Sequence, residues 1–344
     1  MKSLDKLEIP LIQGGMGVGI SLGGLAGAVA AEGGMGVIST AFIGFREKDF
    51  YEDPLNASKR ALKTEIRKAR EIAKGKGLIG INAMVATTHY EEMVKTACEE
   101  GIDCVISGAG LPLSLPKIVE GYQVLLAPIV SSRKAAALMK KSWLRNYNRK
   151  PDFFVCEGSL AGGHLGFSKE DAEKFTREDS LKELKEVVLE AGDIPVFSAG
   201  GVFNSEDIKN SLKVGAAGVQ VGSRFIACQE CDGTDEYKQV ILEAKAEDVM
   251  ILSSPVGMPG RGLRTPLIER VKKIGRIPPK KCLSCVKTCN PKETPYCISK
   301  ALIEAYYGNR QEGLFFCSSN VGRINEMTTV SQLVLELSEG WCER

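Results

Sequence analysis

The 344-residue chain has no run of about 18 or more uninterrupted apolar residues, the length a membrane-crossing helix requires. Its first ten residues, Met1 to Pro10, mix charged with apolar side chains and do not build the apolar stretch of a signal peptide. A cytoplasmic protein is expected. Neither sign of charge dominates, because 45 basic and 43 acidic residues leave a formal charge of +2. That balance gives no basic field for nucleic acid or a membrane surface, although Arg270 to Arg276 and Lys280-Lys281 form a local basic run. There is no Ser-His-Asp order, no His-Glu-x-x-His helix and no P-loop, which argues against hydrolase and phosphoryl-transfer chemistry. Solenoid repeats and low-complexity tracts are missing too. Histidine is scarce, with two in the whole chain.

What is present points to a large packed core. Hydrophobic residues make up 44% of the chain, enough to offset ordering entropy. Eleven cysteines without an export signal suit thiols, redox groups or metal ligands better than a disulfide scaffold. Eight short, unalternated apolar runs read as strands: residues 9–13, 36–39, 78–82, 104–107, 123–127, 153–156, 195–198 and 218–221. Runs without period-two alternation suit strands buried on both faces of a parallel sheet. Between them lie helical segments at 22–32, 56–74, 89–100, 113–120, 132–141, 169–191 and 205–214. In the second, Ile66, Ala69 and Ile72-Ala73 form an apolar stripe. Eight strands alternating with helices predict an α/β fold of the TIM (β/α)8 barrel type, with an open doubly wound sheet as the competitor. Residues 1–270 are assigned to the barrel. Residues 271–344, with Pro278-Pro279, a cysteine group and a helical stretch at 298–307, are assigned to a small cysteine-rich, mostly helical appendage, expected to cover one barrel end or to make a homodimer contact.

In such a barrel the chemistry follows the carboxyl ends of the strands. After the first strand, Gly14, Gly15, Met16 and Gly17 open a glycine-rich loop that lets the backbone approach a flat ligand. Asn82 ends the third strand, and its amide can bond a heteroaromatic edge as donor and acceptor. After the sixth strand comes Ala161-Gly162-Gly163-His164, where His164 can move a proton near neutrality. His89 reads as a surface or supporting residue. After the last two strands, Ser198-Ala-Gly200-Gly201 and Gln220-Val-Gly222-Ser223-Arg224 have the chemistry of a phosphate site, with Arg224 as a cation if it points inward. That site alone also permits a non-flavin isomerase or lyase of a phosphorylated metabolite.

Taken together, Ile12 to Gly17, Gly80 to Asn82, Glu157-Gly158 with Ala161 to Gly166, Ser198 to Gly201 and Gln220 to Phe225 resemble the nitronate monooxygenase family, formerly 2-nitropropane dioxygenases. That family is similar to the FMN-dependent enoyl-acyl-carrier-protein reductases. The resemblance implies FMN as cofactor, with Gly14 to Gly17 near the isoalloxazine, Asn82 in contact with it, and Glu157 and Gly162 lining it. It places the phosphate at Gly200, Gly201, Gly222 and Ser223. Gly163, Ser198 and Gln220 fall within the same motifs and join the cofactor set, and His164 takes the catalytic position. The implied reaction is oxidation of alkyl nitronates or nitroalkanes by O2. Many nitronate monooxygenases carry Gln where this chain has Glu157, whereas the reductase branch carries Glu, so reduction of an enoyl thioester by a nicotinamide nucleotide is the alternative.

Two other features stand out. The spacing Cys282-x2-Cys285-x3-Cys289-x7-Cys297 can bind zinc or an iron–sulfur cluster through four thiolates, or consists of reduced thiols packed in the appendage. The turn-rich, cationic stretch from Ser253 to Pro266 reads as a mobile lid over an anionic substrate or as a surface loop.

Overall fold

The computed structural model describes residues 2–341. Eight parallel strands close into a barrel: β1 (Leu11–Gln13), β2 (Met35–Ser39), β3 (Leu78–Met84), β4 (Cys104–Gly108), β5 (Leu125–Val130), β6 (Phe154–Glu157), β8 (Val196–Ala199) and β9 (Gly218–Val221). Leu11 pairs with Val219 and Gln13 with Val221 to shut the ring. Every residue of β2 and of β4 is buried, as strands covered on both faces must be. Inward-facing Ile12, Val37, Ile106, Val155 and Phe197 fill the barrel interior, where the Phe153 and Phe197 rings meet edge to face at 5.2 Å. The outward-facing residues join the helices in a second apolar layer.

The surrounding helices are α1 (Gly23–Ala31), α2 (Pro54–Ala73), α3 (Tyr90–Glu99), α4 (Leu115–Ile118), α5 (Arg133–Tyr147), α6 (Lys169–Lys174), α7 (Arg177–Ala191) and α8 (Ser205–Lys213). In α2, Leu62, Ile66, Ala69 and Ala73 form the buried stripe. Ile72 sits at its edge and is 37% exposed, because it lies about 100° around the helix from Ala73. The helix expected over 169–191 is two. Thr176 caps α7 through a reciprocal capping box with Asp179, and this local bonding competes with helix continuation. Helix α1 takes its cap from far away in sequence. Leu22 offers no capping side chain, and the Asp232 carboxylate accepts the N–H groups of Leu22, Gly24 and Leu25 at 2.8–3.0 Å.

A second sheet lies over the barrel's carboxyl face. The stretch expected as a lid or loop folds as an antiparallel hairpin of β10 (Val249–Ser253) and β11 (Pro259–Leu263), and β11 also pairs with β7 (Gly163–His164). The chain continues through α9 (Ser223–Ile226), α10 (Asp235–Glu243), α11 (Pro266–Ile274), α12 (Ile298–Tyr306) and α13 (Val330–Ser338). The C-terminal region shares its core with the barrel loops: Val18, Ile20 and Phe45 pack in one cluster with Leu302, Tyr306 and Phe315. In this way the C-terminal region packs onto the loops of the barrel's carboxyl face. No helix of the described residues is long and apolar enough to cross a membrane.

Candidate active site

A cavity of about 520 Å³ opens at the carboxyl ends of the strands. Strand register decides what faces it. In β3, Ile79 and Ile81 pack outward against the helices, so Asn82 shares the inner face with Leu78. In β6, Val155 points inward, and so does Glu157 two residues later. In β9, Val219 and Val221 pack outward, which leaves Gln220 inside. All three inward residues line the cavity, together with Gly14, Gly15, Met16 and Gly17 from the loop after β1. The loop after β6 adds Gly162, Gly163 and His164, and the last two loops add Gly200, Gly201, Gly222 and Ser223. Ser198 does not reach the cavity. It sits between the inward Phe197 and Ala199, and its Oγ accepts a hydrogen bond from Ser211 Oγ on α8 at 3.1 Å.

The glycine loop is packed too closely for larger residues. A Cβ on Gly15 would stand 2.4 Å from the Cβ of Asn82. At the other end, Gly200 and Gly201 adopt φ of +87° and +85°, a conformation that disfavours side chains, and a Cβ on Gly200 would strike the Gly158 backbone. The cavity therefore has a backbone floor at one end and successive glycine peptide groups along the other.

Two titratable groups occupy the wall between. Glu157 is enclosed with no ion pair or hydrogen bond among the described residues, and burial alone raises its carboxyl to about 8. His164 is lowered to about 4 by burial. Burial thus favours the uncharged form of both groups. The imidazole Nε2 is hydrogen-bonded to Ser254 Oγ at 2.7 Å, and the ring meets Phe316 edge to face at 5.1 Å. Gln220 Oε1 is buried without a partner, an orphan acceptor on the cavity wall that a ligand N–H or O–H would satisfy. The residues present thus fit a flat, hydrogen-bonding ring carrying an anionic tail.

Several supporting residues come from the stretch expected as a lid or surface loop and from the C-terminal region. Arg261 on β11 is buried and donates to the carbonyls of Ser159, Ala161 (3.1 Å) and Ala172 (2.8 Å), which fixes the loop carrying His164. The Ser318 N–H donates to Ser223 Oγ at 2.8 Å, and Asn320 Nδ2 donates to the Gly201 carbonyl at 2.8 Å. Phe316 and Ser318 also line the cavity. Arg224 does not supply an inward cation. Its guanidinium donates to Phe203 O and to Glu336 of α13, and it lies against the Phe203 ring, as does Arg323. His89 stands at the N-cap of α3 and does not line the cavity.

The four-thiolate metal site is not formed. Among the described residues no group of three or more His, Cys, Asp or Glu side chains is arranged to hold a metal ion. Cys282 is exposed and accepts the Ser284 N–H, Cys285 and Cys289 pack against the apolar core of the C-terminal region, and Cys297 hydrogen-bonds Ser299 Oγ. Packing and hydroxyl partners, instead of convergence on one point, decide where these thiols go.

A barrel whose carboxyl face combines a glycine floor, an orphan acceptor and an enclosed histidine defines a cofactor-binding enzyme of the TIM-barrel class. The family model described as nitronate monooxygenase matches residues 1–340, and the chain belongs to that family. A probable nitronate monooxygenase of Staphylococcus aureus is 24% identical over 288 residues, covering 79% of this chain and 80% of the relative. One from Staphylococcus saprophyticus is 26% identical over 190 residues, 55% of this chain, and there the match spans 51% of the relative's length. Among solved structures, FabK from Thermotoga maritima superposes with a TM-score of 0.76 at 25% identity, covering 98% of this chain and 95% of that one.

Proposed function

We propose that the protein is an FMN-dependent oxidoreductase that oxidises alkyl nitronates with O2. The observation that carries this reading is His164, neutral and enclosed at the wall of a glycine-floored cavity, in a chain of the nitronate monooxygenase family. FMN, when bound, supplies the electron transfer between substrate and O2. The chain's own residues bind and orient. Gly14 to Gly17 and Asn82 offer backbone and amide groups to the ring, and Gln220 Oε1 accepts from it. The peptide groups of Gly200, Gly201, Gly222 and Ser223 take the phosphate. Gly162, Gly163 and the uncharged Glu157 border the ring without adding charge to it, and His164 stands beside the substrate. Every described cysteine is free, which supports a reducing, cytoplasmic setting.

The test is oxygen uptake on ethyl nitronate or propionate 3-nitronate by the flavin-loaded protein without any nicotinamide. His164→Ala is expected to abolish uptake while flavin stays bound. The resemblance supports a second reading through Glu157, at a position where it implies Glu for the enoyl reductase branch. Nicotinamide oxidation that depends on an enoyl thioester, with no response to nitronates, would establish that reading instead. A colourless protein that takes up no added FMN would defeat both and leave the phosphorylated-metabolite enzyme.

A further inference from the structure

We propose that Ser254 is a positioning residue that fixes the tautomer of His164, so that the ring meets its substrate as a hydrogen-bond donor and selects a nitronate anion over a neutral nitroalkane. The inference rests on the nitronate reading above and deepens it. Ser254 is buried in the turn between β10 and β11, where its N–H donates to Met258 O at 3.2 Å and its carbonyl accepts from Gly257 N–H at 2.9 Å. Its hydroxyl has two partners among the described residues, Val256 N–H at 3.3 Å and His164 Nε2 at 2.7 Å. A backbone N–H can only donate, so Oγ is the acceptor there. The hydroxyl proton then has one place to go, the lone pair of Nε2. If Nε2 carried the proton, Oγ would accept twice and leave its own hydrogen unpaired in a buried site, which is unfavourable.

The imidazole proton is therefore on Nδ1, which has no protein partner among the described residues while the ring itself lines the cavity. The strand pairing of His164 with Gly260 and the bond from Leu165 N–H to Pro259 O at 2.8 Å hold the ring's backbone to the same hairpin, so the tautomer and the ring position share one support. A donor at Nδ1 stabilises the oxygens of an anionic nitronate. A neutral nitroalkane must instead lose a proton from its α-carbon to a base, and a protonated Nδ1 offers no lone pair for it.

With only two histidines, 15N-histidine spectra of the flavin-loaded protein in a His89→Gln background read His164 alone. A protonated-type Nδ1 and an unprotonated-type Nε2 are expected. Ser254→Ala should scramble that pattern and lower the ratio of kcat/KM for nitronate over nitroalkane about tenfold, and Ser254→Thr, which keeps the hydroxyl, should restore both. A protonated Nε2 in the unsubstituted enzyme overturns the proposal even where Ser254→Ala fails to load flavin, and so does a ratio unchanged in a flavin-loaded Ser254→Ala. Absence of oxygen uptake on every nitronate, with the expected tautomer in place, overturns the nitronate reading and the selectivity while the Ser254–His164 assignment stands.

Discussion

Replacing Glu157 by glutamine isolates the cost of enclosing a carboxyl group with no partner. In the folded protein burial raises this group from 4.5 to about 8, so between those values the folded chain holds a proton that the unfolded chain releases. The sign follows: stability falls as pH rises from about 4.5 to about 8 and levels off above. From about pH 5.5 to about pH 7.5 the linkage amounts to about 2–3 kcal/mol. Glu157→Gln keeps the shape and removes the titration. Urea unfolding of the flavin-stripped protein at those two pH values should therefore show the unsubstituted chain losing about 2–3 kcal/mol more than the variant. Flavin has to be stripped because a bound ring would change what surrounds the carboxyl. Identical pH slopes for the two proteins would refute the claim that Glu157 is held uncharged.

Two further outcomes are expected. Gly15→Ala forces a methyl against Asn82, a strand residue that cannot withdraw, at an overpacking cost of about 1–3 kcal/mol; the barrel should still fold while flavin affinity, read by quenching of flavin fluorescence, falls about tenfold or more. Affinity within about twofold would show that the loop can rearrange. Arg261→Met strips three buried carbonyls of their donor, which should cost about 3 kcal/mol or more and lower Tm by at least about 5 °C. An unchanged melting curve would mean that the loop bearing His164 is held by the β7–β11 pairing alone.

The barrel was legible because all eight strands are covered on both faces and so show as bare apolar runs, each found within a few residues of its place. Much of the cavity lining was legible for a related reason, since the loops after barrel strands converge on one face wherever they lie in sequence. Ser198 was misplaced because its motif was read as a unit, whereas counting by twos from Phe197 turns its side chain outward. The hairpin over 249–263 was hidden by its own composition. Pro259-Gly-Arg-Gly262 reads as a turn, yet a Cβ on Gly262 would sit 2.5 Å from Phe315 O, so glycine there permits close approach of two chain segments within a strand. The stretch 253–266 reads as a lid or a surface loop, but nothing local singles out Ser254 and Arg261 within it, or Phe316 and Ser318 beyond it. Their partners lie about a hundred residues away in sequence, and no periodicity encodes such meetings. The cysteine spacing gave the opposite lesson, because thiol intervals fix neither side-chain direction nor burial.

The order in which this protein is synthesised has a consequence for when it can hold a cofactor. All eight barrel strands precede residue 222, but the wall beside Gly201 and Ser223 is built by Asn320 and Ser318, near the end of the chain. The strands of the ring are thus synthesised well before one flank of the cleft, and before Val330, Leu333 and Leu337, which pack in one apolar cluster with Leu11 and Leu25 of the barrel. Secure retention of any occupant therefore waits for residues 318–320 to emerge from the ribosome and dock.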